Sequence, residues 1–356
     1  RLLLFIFFTS FSLIAQNNPL YLDSNADIED RLSDLMARMT LEEKVGQMCQ
    51  YVGLEYLKKQ KRNKKASGDV SKLNKDAFAM YGLSESEIIQ EIIDGKIGSF
   101  LHVLDPEEAN YLQGFTLDTR LKIPLIIGID AIHGNAMVRG TTVYPSPISI
   151  AATFNNDFAY DVAKQSAREM RATGSQWTFM PNIDVARDPR WGRVGETFGE
   201  DPFMVGEMGK AMIMGFQGED FGQPNNVIAC AKHMIAGSEP LNGLNISPMD
   251  VSERSLYESH LPPYKKGIDA GVYSIMAAHN ELNGIPSHMH KGLMTDLLRN
   301  EWGFGGFYVS DWYDIKRIWS YHKVARNYKE ASLFSVEAGM DMNMHGPDFG
   351  PHLINL

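Results

Sequence analysis

The residues of this chain best suited to do chemistry stand just past short apolar runs. "PLIIGIDAIHG" leaves Asp130 at the end of one run, and "VIACAKHM" ends another in Lys232 and His233. "SIMAAHN" carries Met276 and closes on His279 and Asn280, and "GGFYVSDW" closes on Asp311 and Trp312. A further run leads into "FMPNIDVARDPRWGRVGETFGEDP", a loop dense in Arg, Asp and Glu that includes Arg193 and Glu196. Carboxylates, fixed cations, a histidine and an indole suit a neutral polyhydroxylated ligand. The charged groups hydrogen-bond paired hydroxyls, while Trp312 offers a flat apolar face to a sugar ring. Carboxylates also serve the hydrolysis of glycosidic bonds, one as nucleophile or base and another as acid across an oxocarbenium-like transition state. Asp311 is the nucleophile candidate by position: small glycines open its run, an aromatic follows it, and cations such as Lys232 and Arg193 would hold it ionised.

Lys232 and His233 set a geometric condition. Neighbours on a strand point to opposite faces, so both reach one ligand only if the backbone is irregular. A bulge or a non-proline cis bond is predicted near 232 to 234. Other chemistries find little support, since there is no G-x-S-x-G, P-loop or G-x-G-x-x-G spacing. "SHMHKG" contains an H-x-H, His288 and His290, but it lies beyond "NGIP", where the next helix should begin. Two surface or helix-start histidines are expected there, and not a metal site. The two cysteines, Cys49 and Cys230, form no C-x-x-C and no disulfide framework. No metal or organic cofactor is expected.

Positioning groups from so many runs asks for a repeating scaffold. Apolar runs recur near 47 to 51, 97 to 103, 124 to 130, 177 to 182, 227 to 233, 272 to 278, 305 to 310 and 339 to 344. Amphipathic segments such as 84 to 94, 157 to 172, 203 to 217 and 252 to 270 separate them. Eight strands alternating with helices predict an α/β fold of the (β/α)8 barrel type, whose active site lies at the C-terminal ends of the strands. Thr40 followed by Glu43 predicts a helix start before the first strand. Residues 55 to 76, rich in cations and poor in apolar anchors, read as a solvated insertion.

The chain has 356 residues, 34 Lys+Arg against 44 Asp+Glu, and a formal net charge of -10. With 44% hydrophobic residues it can bury a sizeable core, and its acidic balance argues against a nucleic-acid partner. "RLLLFIFFTSFSLIA" is a cation followed by a short apolar run ending in a small residue, which reads as a signal peptide over residues 1 to 16. A periplasmic or secreted protein without a membrane anchor is expected. The chain opens without an initiating methionine, and "GPDFGPHLINL" ends it without a closing helix, so truncation on both sides is expected.

In order along the chain, "MTLEEKVGQM", "GIDAIHG", "NIDVARDPRWGRVGETFGEDP", "AKHM", "SERSLYESHLPPYKKGI", "NGIPSH", "GFGGFYVSDW" and "AGMDMNM" together resemble glycoside hydrolase family 3, which contains many β-glucosidases and β-xylosidases. The resemblance runs from about residue 25 to the end. It implies a barrel domain over 25 to 356 and a retaining mechanism through a covalent glycosyl-enzyme, with Asp311 as nucleophile. It further implies that Asp130, Arg193, Lys232 and His233 hold the hydroxyls of a β-linked sugar, with Trp312 flanking it. Met276 fits the family's strand pattern, and His279 stands where the family usually has tyrosine. Glu196 and Glu253 lie in family-like segments and are placed behind the first ring of contacts. "MIAGSEPLNGLN" lacks the loop histidine of the N-acetylglucosaminidase branch. The remaining branches take their acid/base carboxylate from a C-terminal α/β domain, which is expected to be absent from this chain. An exo-acting β-glucosidase is the reading favoured, with a β-xylosidase or a non-catalytic sugar-binding barrel as alternatives.

Overall fold

The computed structural model describes residues 19 to 66 and 81 to 356. The signal-peptide reading over 1 to 16 and the later part of the 55 to 76 segment lie outside the described residues. Each of the eight apolar runs contributes a strand: β1 (Cys49–Val52), β2 (Ser99–Leu101), β3 (Ile126–Ile129), β4 (Trp177–Thr178), β5 (Cys230–Met234), β6 (Ser274–Ala277), β7 (Phe307–Val309) and β8 (Asn343–Met344). β8, β1, β2, β3 and β4 pair in that order, every pair parallel, and β5, β6 and β7 form a second parallel stretch. Two parallel bridges join the stretches, Trp177 with Ile228 and Val309 with Met342, so the eight strands close into a (β/α)8 barrel. The backbone bonds at these seams, Thr178 N–H to the Ile228 carbonyl at 2.9 Å and Ser310 N–H to the Met342 carbonyl at 2.9 Å, are of ordinary length.

Helices separate the strands because the chain supplies start signals after each turn. Thr40 and Glu43 form a capping box on Leu41–Gln47, and Ser84 and Glu87 form one on Glu85–Ile93. Asp105 and Asp201 cap Pro106–Thr116 and Pro202–Gln217, each with proline in the first turn, where its missing N–H costs nothing. The cation-rich segment after β1 is not wholly irregular: Leu54–Ala66 is a helix. Buried Leu54 and Leu57, three residues apart, anchor it, and the buried carboxylate of Glu108 accepts the N–H groups of Leu54 and Glu55 at its start. The end of the chain also differs from expectation, since Phe349–Ile354 is helical.

The barrel interior is packed. Trp177 meets Phe179 and Phe307 edge-on at centroid distances of 4.6 and 5.0 Å, and its Nε1–H donates to Ser274 Oγ at 2.7 Å across the barrel. Gly128 in β3 makes room for these rings, because a Cβ there would stand 2.7 Å from Phe179 Cζ. Among the described residues no helix is long and apolar enough to cross a membrane.

Candidate active site

Asp130, Arg193, Lys232, His233, Met276, His279, Asp311 and Trp312 all line one cavity of about 390 Å³, together with His102, Glu196 and Asn245. The strand ends bring them there: Asp130 follows β3, Lys232 and His233 belong to β5, Met276 and His279 close β6, and Asp311 and Trp312 follow β7. That is the C-terminal mouth at which such barrels place their sites.

The irregular backbone predicted near 232 to 234 is present. The Lys232–His233 peptide is cis, and the pairing of β5 with β6 shifts register between Ala231 and Met234. Both side chains consequently line the same cavity.

Three charged groupings form the walls. On one side Lys232 Nζ donates to Asp130 Oδ1 at 2.7 Å, and His102 Nε2 lies 3.0 Å from Oδ2. Burial alone would raise the Asp130 carboxyl, but Lys232 and His102 hold it well below the usual carboxylate range. In the second grouping Arg193 grips Glu196 with Nε and Nη2, both at 2.9 Å, and Nη2 also reaches His233 Nε2 at 3.0 Å. A guanidinium only donates, so His233 accepts at Nε2 and carries its proton on Nδ1, which donates to buried Asp184 at 2.9 Å. Burial, with Arg193 and Lys232 beside it, keeps His233 neutral, its pKa well below the ordinary histidine value. Burial pushes Asp184 up to about 7, while Arg193 holds Glu196 below its usual range against the effect of burial.

The third grouping surrounds Asp311. Its Oδ1 accepts the Trp312 N–H at 2.6 Å, and its own N–H donates to His288 Nε2 at 2.9 Å. Its Oδ2 receives no aligned hydrogen bond and lies 3.1 Å from His279 Nε2 and 3.7 Å from His233 Nε2. Burial leaves the Asp311 carboxyl above its ordinary value, with His279 and Arg193 working to lower it and Asp314 to raise it. Trp312 packs its ring on His345 at 4.2 Å and near-parallel to His102 at 6.2 Å, which fixes it at the rim.

Four groups here escaped the sequence reading. His288 belongs to a short 3-10 turn, Ser287–Met289, but is buried beneath Asp311 and not at the surface, while His290, half-buried and outside the cavity, stands at the start of the next helix as expected. Glu196, placed behind the first contacts, in fact lines the cavity, whereas Glu253 is exposed and does not. Asp314, two residues beyond Trp312, accepts from His279 Nδ1 at 2.7 Å. His102 faces the cavity from the end of β2, in a run whose apolar character hid a lone histidine. Ligand atoms of His279, Asp311 and Asp314 come within 4.8 Å of one another. Each Asp314 oxygen already faces a donor, Oδ2 the Nδ1 of His279 and Oδ1 the Nη1 of Arg317 at 2.6 Å.

Comparison with known proteins fits this geometry. The chain is 41% identical over 264 residues to a protein of Formosa agariphila named beta-xylosidase, covering 71% of this chain and 36% of that protein. It is 33% identical over 327 residues to the periplasmic beta-glucosidase of Salmonella typhimurium, covering 91% and 38% respectively. Among solved structures, the beta-glucosidase of Listeria innocua in complex with isofagomine superposes with a TM-score of 0.78 at 33% identity, covering 93% of this chain and 43% of that one. The chain thus spans well under half the length of these relatives. A barrel mouth lined by Asp130, Arg193, Lys232, His233 and Asp311 lies wholly inside residues 40–350, which match the profile described as "Glycosyl hydrolase family 3 N terminal domain", and this chain belongs to that family.

Proposed function

We propose that the chain is the barrel of a retaining, exo-acting β-glycosidase that removes terminal β-D-glucosyl residues through a covalent glycosyl-enzyme on Asp311. The observation that carries this reading is the Asp311 carboxylate itself, whose Oδ2 faces a cavity ringed by paired charged groups and has no aligned hydrogen bond. Asp130 with Lys232, and Arg193 with His233, present acceptors and donors to sugar hydroxyls from opposite walls, and Trp312 covers one face of the ring. Asp311 attacks the anomeric carbon, the glycosidic C–O bond breaks, and the leaving oxygen takes a proton from a general acid. Water then hydrolyses the ester, releasing the sugar and restoring the carboxylate.

That acid is not found among the described cavity residues. Glu196 is held ionised by two bonds from Arg193, and Glu253 is exposed outside the lining. We infer from the family resemblance that the acid comes from outside the barrel. The apolar start of the chain and the named periplasmic relative support export. A β-xylosidase is the second reading, supported by the 41% identical relative of that name.

The test uses an aryl β-glucoside and an aryl β-xyloside. In the full-length enzyme, replacing Asp311 with Ala should remove nearly all turnover and all covalent trapping by a 2-fluoroglycoside, whereas the 356-residue chain by itself should show little or no turnover. Activity largely retained in Asp311→Ala would refute the nucleophile assignment, and absence of any adduct in the unaltered protein would favour a binding barrel. A larger kcat/KM for the xyloside would favour the second reading.

A further inference from the structure

We propose that Asp314 is a positioning residue that holds His279 as an imidazolium between two carboxylates, its own and that of Asp311, so that a buried cation aligns and ionises the nucleophile. The inference rests on Asp311 being that nucleophile. It begins from hydrogen positions. His279 Nδ1 lies 2.7 Å from Asp314 Oδ2, and Nε2 lies 3.1 Å from Asp311 Oδ2. Nδ1 is hydrogen-bonded to one carboxylate, and Nε2 stands in close charge contact with the other without the alignment of a hydrogen bond; a carboxylate offers only acceptors, so the ring sits best between two ionised carboxylates when each nitrogen carries a proton.

The surroundings favour that proton. Asp314 is buried, yet it is held in the charged state by His279 and by Arg317. The burial of His279 works against its charge, but Asp311 and Asp314 outweigh it and raise its pKa. The groups on the other sides are matched within themselves. Arg193 is paired with Glu196, Lys232 with Asp130, and His322 with Glu281. His233 is neutral and accepts from Arg193, so it has no proton to offer Asp311 from 3.7 Å. His288 donates nothing to Asp311 either, because its Nε2 is the acceptor of the Asp311 N–H. Among the histidine rings at 3.1 and 3.7 Å from Asp311 Oδ2, His279 is thus the one whose positive charge can act on it.

The consequence is a pH signature. As long as His279 carries both protons, Asp311 stays ionised in a buried place. Removing the charge of Asp314 lets His279 lose its second proton at lower pH, and burial then protonates Asp311 at higher pH than before.

The test uses the full chain and 2,4-dinitrophenyl 2-deoxy-2-fluoro-β-D-glucoside, whose leaving group departs without a general acid. The rate of covalent trapping is followed by intact mass across the pH range. In His279→Gln the acid limb should move up by about one pH unit or more; in Asp314→Asn it should move up by less, because the Asp314 charge that is lost also raises Asp311 directly, and the double variant should move no further than His279→Gln alone. An unmoved limb in both single variants, or shifts that add, would overturn the proposal. An adduct that persists in Asp311→Ala would instead overturn the nucleophile assignment. A second readout needs no turnover: in chain labelled with 15N at histidine, the His279 ring should keep both protons at about pH 6.5, the ordinary histidine midpoint, and lose one in Asp314→Asn. A singly protonated ring in the unaltered chain would also overturn the proposal.

Discussion

The Nε2 of His288 accepts the backbone N–H of Asp311 at 2.9 Å, although the two residues stand 23 positions apart in the chain. His288 comes from a short 3-10 turn, Ser287–Met289, that follows the small hairpin between β6 and β7. It pins the backbone from which the proposed nucleophile projects, so the loop beyond one strand sets the geometry at the end of the next.

That bond predicts a stability change with a definite sign. Burial keeps His288 neutral, with a pKa of about 4 against the ordinary 6.5. A histidine with a depressed folded pKa contributes stability above its unfolded pKa that is lost as pH falls toward the folded value. His288→Asn removes this titration. The unaltered protein should therefore lose on the order of 3 kcal/mol more than the variant between pH 7 and pH 4, at 1.36 kcal/mol per pKa unit. Urea unfolding of both proteins at the two pH values measures the difference, and equal losses would show that His288 is not buried neutral.

The pattern of apolar runs made the barrel readable because each run must cover a strand buried on both faces, and the polar residue at its end then marks the mouth. His288 was unreadable for a related reason. Its partner is a backbone N–H distant in sequence, and an H-x-H outside a strand end carries no sign of which histidine turns inward. Asp314 was hidden by position, three residues past Asp311 and inside the helix Asp314–Ser320, where an acidic residue normally serves the helix start. The helix Leu54–Ala66 was obscured by composition: its run of cations suggested solvent, while two leucines and the distant Glu108 cap were enough to fix it.

The paired glycines before β7 are not equivalent. A Cβ on Gly306 would collide with the carbonyl oxygen of Tyr273, whereas one on Gly305 meets nothing within 4 Å. Gly306→Ala should destabilise the fold by about 1–3 kcal/mol as the strand shifts away from β6, and Gly305→Ala should stay within about 0.5 kcal/mol. Denaturant midpoints at constant slope report both. Equal effects would mean that the close approach of the two backbones does not matter.

Thr40 joins its side chain to the Glu43 N–H at 3.2 Å, and Glu43 returns a bond to the Thr40 N–H at 2.9 Å. Glu43 also takes the guanidinium of Arg120, which ties the helix to the turn before β3. Thr40→Ala should cost about 1 kcal/mol. Thr40→Ser should be close to neutral, since the hydroxyl is retained. Thermal unfolding monitored by circular dichroism distinguishes the two.

Arg193 provides the sharpest test of the sugar-binding reading. Its planar fork makes two parallel bonds to Glu196 and a third contact to His233 Nε2, three directions that a single ammonium cannot reproduce. In Arg193→Lys the positive charge survives, so a role that was only electrostatic would leave turnover nearly intact. The geometric role predicts otherwise. Glu196 would lose its bidentate partner, and His233 would lose the donor that fixes its tautomer, leaving its Nε2 free to reorient toward Asp311. Loss of one charged hydrogen bond is worth about 1.5–3 kcal/mol, which corresponds to a fall in kcat/KM of the full-length enzyme for an aryl β-glucoside of roughly 10- to 100-fold. The effect should appear mainly in kcat if the bond to the sugar strengthens in the transition state, and in KM if it holds the ground state equally well. A kcat/KM within about twofold of the unaltered enzyme, a difference of roughly 0.4 kcal/mol, would remove Arg193 from the groups that shape the site and leave it as a counter-charge alone.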